Sequence, residues 1–249
     1  MAVRLAIRPI LPACNRALRR HQLTSTLLAI AASLAGAQAP PPPATPSPAP
    51  PATRFVVALD AAHGGDDLGG RLGDNQAEKD IALAFSMRLR SLLEARGIPV
   101  VSTRESDVTV EWNRRAEVAN HANAQACLNL HASESGSGVH LFVSNMAPAE
   151  PMRFAAWKTA QAAWVTRSLA LAGTLNSALL QAGMSVTLGR TALPVVDSMA
   201  CPAVAVEIAP ERDHDKKVTA QLDDPDYQAR VAEALAAALL SWRSEGRQP

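Results

Sequence analysis

The stretch "FVVALDAAHGGDD", Phe55 to Asp67, decides how this chain is read. Phe55 to Leu59 is an unbroken apolar run of the length of a fully buried strand. The run ends in Asp60 and His63, and the Gly64-Gly65 pair then lets the backbone turn sharply and come close to whatever the histidine faces. Open α/β sheets place their chemistry at the carboxyl ends of buried strands. Taken alone, the stretch leaves two readings of His63: a hydrogen-bonded structural residue, or a ligand.

Working outward, the chain alternates strand and helix signals. "NQAEKDIALAFSMRLRSLLEARG" (75–97) carries Ile81, Phe85, Leu89 and Leu92 at helical spacing, and Gly97 closes it. "IPVVSTR" (98–104) reads as a second strand, "WNRRAEVANHANA" (112–124) as a helix and "QACLNLHAS" (125–133) as a third strand. "GVHLFVSN" (138–145) alternates as a fourth strand, and residues 152–182 read as an Ala-rich helix with Gly173 as a break. "LPVVDS" (193–198) and "PAVAVEIA" (202–209) read as the last strands, and "YQARVAEALAAALLSW" (227–242) as a closing helix. This order argues for α/β architecture: a three-layer, twisted, mostly parallel sheet flanked by helices.

The amino-terminal part has a different composition. Residues 1–22 hold Arg4, Arg8, Arg16, Arg19 and Arg20 and no acid, and an apolar stretch centred on Leu27–Ala37 follows. With the small-x-small triplet Ala37-Gln38-Ala39, this is the layout of a signal peptide over residues 1–39, with cleavage after Ala39. Residues 40–53 are a proline-rich linker, since Pro40 to Pro51 holds eight of the chain's 18 prolines and such a run forms a stiff, extended spacer. The folded domain is expected over 54–245, exported to the periplasm or the cell exterior, with no stable membrane insertion after cleavage. Without its leader the chain keeps 19 basic against 23 acidic residues, a balance that gives no footprint for nucleic acid. Cys127 and Cys201 remain, and an exported protein is able to bridge them, although their positions in sequence do not say whether they meet.

Four side chains do not suit a plain core. In "CLNLHAS", alternation puts Leu128 and Leu130 on one face and Cys127, Asn129 and His131 on the other, so His131 is a second histidine at a strand's carboxyl end. Glu78 precedes Ile81 by three positions and so lies on the buried stripe of its helix. A carboxylate there is paired, coordinated or used as a cap, and Asn75-Gln76-Ala77-Glu78 also has capping-box spacing. Glu207 ends the apolar run "AVAVE" on the side of Ala203 and Ala205, where it is either a reactive carboxylate or half of a salt bridge. Two histidines and a glutamate form a known catalytic zinc set, and a second, unligated glutamate is what such a set needs to take a proton from water.

The motifs "LDAAHGGDDLGG", "AEKDIAL", "RAEVANHANAQACLNLHAS", "GVHLFVS" and "CPAVAVEIA", in this order, resemble the zinc-dependent N-acetylmuramoyl-L-alanine amidases across residues 55–243. The resemblance implies a twisted α/β sheet of phosphorylase/hydrolase-like form, with one Zn2+ held by His63, Glu78 and His131 and with Glu207 as the catalytic carboxylate. It also implies a hydrolase acting in cell-wall degradation. The bond cut is the amide between the lactyl group of N-acetylmuramic acid and L-alanine of peptidoglycan. A zinc peptidase cutting within the stem peptide and a non-catalytic wall-binding domain are the alternatives. Arg104 and Arg115 are candidates for stem-peptide carboxylates, with internal ion pairing or helix-surface solvation as the competing reading. His121, His140 and His214 read as structural, the direction of His140 being undecided by its alternation. Two departures stand out: Ala62 replaces the family's glycine, and Ala209-Pro210-Glu211-Arg212-Asp213 replaces the family's usual run after the last motif. The segment after Asn145 lacks an evident glutamate-bearing plug of the kind that cell-division members carry, and an activator protein is left open.

Overall fold

Four of the five neighbouring strand pairs in the central sheet are parallel, as the alternation of elements predicts. The structure, a computed structural model, describes residues 54–246 without 74–75 and 152–155. The leader and spacer readings therefore lie outside the described residues. In chain order the elements are β1 (Val57–Ala61), β2 (Arg71–Leu72), β3 (Gln76–Ala77), α1 (Glu78–Ala95), β4 (Val100–Ser102) and α2 (Trp112–His121). Next come β5 (Ala126–Ala132), β6 (Val139–Ser144), a 3-10 helix (Trp157–Ala163), α3 (Val165–Gln181), β7 (Val186–Thr191) and α4 (Pro194–Asp197). The chain closes with β8 (Ala203–Ile208), β9 (Glu211–Arg212), β10 (Val218–Ala220) and α5 (Pro225–Glu245). Sheet order is β4-β1-β5-β8-β6-β7, and β6 is antiparallel to β8, so β6 and β7 run against the other four.

Alternation along the strands sorts the core into two layers. Val57 and Leu59, Leu128 and Leu130, Val204 and Val206, and Leu141 and Val143 pack with Phe85, Leu89, Leu175 and Leu235 of α1, α3 and α5. Each large side chain removed from water there stabilises the fold by about 1.5–3 kcal/mol. The opposite face carries small residues, Ala58, Cys127, Ala203 and Ala205, against Ala116 and Ala119 of α2 and Val196 of α4. Cys127 and Cys201 meet there in a disulfide, their Cα atoms 6.3 Å apart. On this small-residue face, beyond the alanines, the strands carry Asp60, Asn129, His131 and Glu207.

Several elements differ from the sequence reading, among them the short strands β2, β3, β9 and β10, which it did not include. "LPVVDS" is not a strand: Pro194 opens the short helix α4, the Asp197 carboxylate accepts from the Leu193 amide, and the Ser198 hydroxyl donates to the Pro194 carbonyl. Those local side-chain bonds favour a turn over the extended form suggested by the valines. Within 152–182 the described residues are not one helix: the 3-10 helix ends at Ala163, α3 begins at Val165, and α3 runs through Gly173 without a break. Strand β7 escapes a pattern search because it is an edge strand with most of its residues exposed. The first strand also lies two residues later than predicted.

Candidate metal centre

The turn after β1 is bent by its own backbone. His63 has φ 60°, a left-handed conformation that costs a non-glycine residue of order 1–3 kcal/mol unless its surroundings hold it. Two buried arginines do so. Arg104 donates to the carbonyls of Ala61, Ala62 and Lys79 at 2.8–2.9 Å. Arg115 donates to the carbonyls of Ala61 and His63 at 2.7 and 2.6 Å, to Val110, and to the Asp60 carboxylate at 2.8 Å. The structure thus turns both guanidinium groups inward, onto the backbone that presents His63. Of the readings weighed for these two, it places Arg115 in an internal ion pair and Arg104 on main-chain carbonyls.

Glu78 is the first residue of α1 and makes no capping box; Ala77 precedes the helix with no side-chain cap. Its own amide donates to the Gly70 carbonyl, and the Gly70 amide donates back to Glu78 Oε2 at 2.8 Å. Gly69 passes so close that a Cβ on it would meet His63 Cδ2 at 2.5 Å and Glu78 Oε2 at 2.8 Å, and its φ of +68° likewise demands glycine. His63 Nε2 lies 3.2 Å from Glu78 Oε2, and His131 Nδ1 lies 2.7 Å from Glu78 Oε1. One donor atom from each of His63, Glu78 and His131 falls within 4.8 Å of the others.

The outer nitrogen of each histidine settles the tautomer. His63 Nδ1 is 2.8 Å from the Asp67 carboxylate, which only accepts, so this nitrogen carries the proton. For His131 the argument runs through three residues. Arg115 and the Thr103 hydroxyl hold Asp60 Oδ1, and the Asn129 amide nitrogen donates to Asp60 Oδ2 at 2.7 Å. That contact fixes the amide orientation of Asn129, so its oxygen faces His131 Nε2 at 3.0 Å and accepts a proton from it. Both inner nitrogens are left as lone pairs aimed at a carboxylate. Lone pairs facing oxygens repel unless a proton or a cation lies between them. The donor set therefore fits a cation, and two imidazoles with one carboxylate suit zinc.

Without a cation a proton takes that place: burial works against ionisation of Glu78, but hydrogen bonds from His131, His63 and the Gly70 amide outweigh it and hold the carboxyl well below the usual range. The bond to Glu78, opposed by partial burial and helped by Asp67, raises the pKa of His63.

Glu207 stands in register with His131 on the parallel strand β5 and with His140 on the antiparallel strand β6. Register neighbours in a sheet lie about 4.8 Å apart and share a face, so Glu207 stands beside the donor set. Among the described residues its carboxylate has no salt bridge and no hydrogen bond. His140, left undecided by sequence, lies on this face too, with Nδ1 2.5 Å from the Thr187 hydroxyl. Asp67 escaped the sequence reading, although its i,i+4 spacing from His63 was a usable signal; Lys79 did as well, and its ammonium ties the Gly65 carbonyl to Asp107. A cavity of about 330 Å³ opens over the site, lined by His63, Asp67, Asn129, His131, Trp112 and Val195 among others. Arg212, in the segment that departs from the family pattern, bonds instead to the loop at 134–137.

Fold and site together define an α/β domain with a His-Glu-His donor set at the carboxyl ends of its parallel strands. The family described as "Amidase_3: N-acetylmuramoyl-L-alanine amidase" matches residues 57–241, and the chain belongs to it. The germination-specific N-acetylmuramoyl-L-alanine amidase of Bacillus subtilis is 30% identical over 105 residues, which are 35% of this chain and 44% of that protein. The chain thus matches under half the length of that curated relative. The catalytic domain of CwlV, an N-acetylmuramoyl-L-alanine amidase from Paenibacillus polymyxa, superposes with TM-score 0.60 at 24% identity, covering 76% of this chain and 98% of that one. The CwlD amidase of Clostridioides difficile, solved in complex with the GerS lipoprotein, superposes with TM-score 0.57 at 20% identity, covering 77% and 99%. These structural likenesses show a common fold.

Proposed function

We propose that this chain is an exported peptidoglycan hydrolase that cuts the amide between the lactyl group of N-acetylmuramic acid and L-alanine. The observation that carries this reading is the convergence of His63, Glu78 and His131, with the outer histidine nitrogens already donated to Asp67 and Asn129. These three residues would hold one zinc ion. When bound, zinc polarises the amide carbonyl and makes water more acidic. Glu207 takes a proton from the attacking water as it adds to the carbonyl carbon, then delivers that proton to the leaving amine nitrogen. The carbon–nitrogen bond breaks, the glycan keeps a lactyl acid and the stem peptide leaves with a free amino-terminal alanine. Arg115, Asp60 and Asn129 hold His131, while Arg104 and Arg115 hold the His63 turn. The catalytic domain is assigned to 54–245, behind a signal peptide (1–39) and a proline-rich linker (40–53). Peptidoglycan is its partner, in the periplasm or outside the cell. Among the described residues no helix is long and apolar enough to cross a membrane.

The test is the purified chain with zinc on cell-wall sacculi, beside Glu207→Gln. The reading expects new amino-terminal alanine from the wild type and a loss of at least about 100-fold in the variant, with zinc still bound at one per chain. New termini at other residues would mark a stem-peptide peptidase. Zinc bound with no new termini would mark a wall-binding domain or a missing activator protein.

A further inference from the structure

Two of the chain's four tryptophans lie on the surface beside the metal centre rather than in the core. Trp112 opens α2 and is 39% exposed, while Trp157 opens the 3-10 helix and is 48% exposed. Their rings stack on each other, centroids 5.0 Å apart and planes inclined by 29°. Lys158 Nζ lies 5.6 Å from both centroids. Trp112 lines the same cavity as His63 and His131. Trp112 thus forms part of the cavity wall, and Trp157, stacked on it, extends that aromatic surface away from the cavity. Exposed aromatic pairs of this kind give up apolar surface to water, and their recurring use is to meet a ligand.

We propose that Trp112 and Trp157 form a glycan subsite, a stacking platform for the amino-sugar rings of the peptidoglycan strand. The inference rests on the amidase reading above and follows from the covalent structure of that substrate. The scissile carbonyl is three bonds from the muramic ring, through the lactyl carbon and the ether oxygen. A carbonyl brought to the donor set therefore carries a pyranose into the same cavity, and the neighbouring sugars leave over its rim. β-linked amino sugars present flat faces of C–H bonds with partial positive charge, which match the negative face of an indole. Each ring of the pair meets its partner on one face, and the two keep 39% and 48% of their surface exposed for a ligand. Stacking the two rings on each other fixes both before any ligand arrives, so little side-chain freedom is lost on binding. The Lys158 ammonium adds a cation beside the platform, complementary to the lactyl carboxylates that the reaction leaves on the strand.

Glycan strands stripped of their stem peptides separate this proposal from the amidase reading, because they contain no scissile amide. The purified wild-type chain is expected to bind them, read by quenching of tryptophan fluorescence and by co-sedimentation with long strands. Trp112→Ala and Trp157→Ala are each expected to weaken co-sedimentation about tenfold, and Trp112→Phe to restore most of it. Leu188→Ala, at an exposed position on the edge strand β7, serves as a surface control and is expected to bind as the wild type does. Unchanged thermal unfolding of the tryptophan variants would show that a lost affinity is not a lost fold. Equal binding by wild type and both alanine variants overturns the proposal. So does a wild type that releases stem peptides from sacculi yet ignores bare strands, which would assign the platform to a protein partner. Strand binding that depends on the tryptophans, with no peptide release from sacculi, would uphold the glycan subsite and leave a wall-binding domain or a missing activator protein in place of the amidase reading.

Discussion

Asp60 lies at the carboxyl end of β1 and, among the described residues, makes no hydrogen bond to the donor set, yet it determines how His131 presents its ring. It accepts from Arg115, Thr103 and Asn129, and the amide of Asn129 is thereby turned so that its oxygen meets His131 Nε2. An isosteric but apolar side chain at 129 leaves His131 free to rotate and to change tautomer. Asn129→Leu is therefore expected to lower zinc affinity about 10–100-fold, read by competition with a chromogenic chelator. Unfolding of the same variant in chelator reports any separate cost to the fold. Glu207→Gln makes the opposite expectation, with zinc retained and turnover lost. Residue by residue, much was legible. His63, Glu78, His131 and Glu207 each violated an apolar pattern at a strand or helix end. Arg104 and Arg115 were legible only as charges on short elements, because most of their partners are main-chain carbonyls, which leave no trace in a pattern of side chains, and Asp60, the ion-pair partner of Arg115, lies 55 residues away.

At the scale of elements, the sequence reading succeeded where one face was buried and failed where burial was absent or the chain turned locally. β5 and β8 alternate cleanly because large residues meet α1, α3 and α5 while small ones meet α2 and α4. β7 has no such contrast, and α4 is made by Pro194, Asp197 and Ser198 against the preference of its valines. Gly173 was read as a break because glycine weakens helices, but the interior of α3 tolerates it. A Cβ added there meets nothing within 4 Å. Gly173→Ala is accordingly expected to stabilise the domain by about 0.5–1 kcal/mol, a rise of roughly 1–4 °C in Tm measured by calorimetry. A fall in Tm would mean that α3 needs the glycine for a contact not seen on its exposed side.

For the molecule as a whole, the Cys127–Cys201 disulfide ties β5 to the entry of β8, the two strands that carry His131 and Glu207. It spans 74 residues, and in a chain-entropy account such a closure stabilises the native state by about 4 kcal/mol. Reduction, or replacement of both cysteines by alanine, is expected to lower Tm by roughly 10 °C. A change of less than about 2 °C would show that sheet pairing alone already constrains these strands.

The sequence by itself determined which side chains cannot rest in an apolar environment, which strand face His131 and Glu207 occupy, and that strands alternate with helices around a mostly parallel sheet. Those properties are local: they depend on the period of the backbone and the polarity of neighbours. Only the tertiary structure decided that β5 lies between β1 and β8, that β6 reverses direction, and that His131, Glu207 and His140 fall in one row. It also decided that Glu78 faces two histidines instead of capping its helix, that the cysteines meet, and that two distant tryptophans stack at the mouth of the site. Strand order and register arise from packing between segments far apart in the chain. No window of sequence contains both partners of such a contact, so no window can state it.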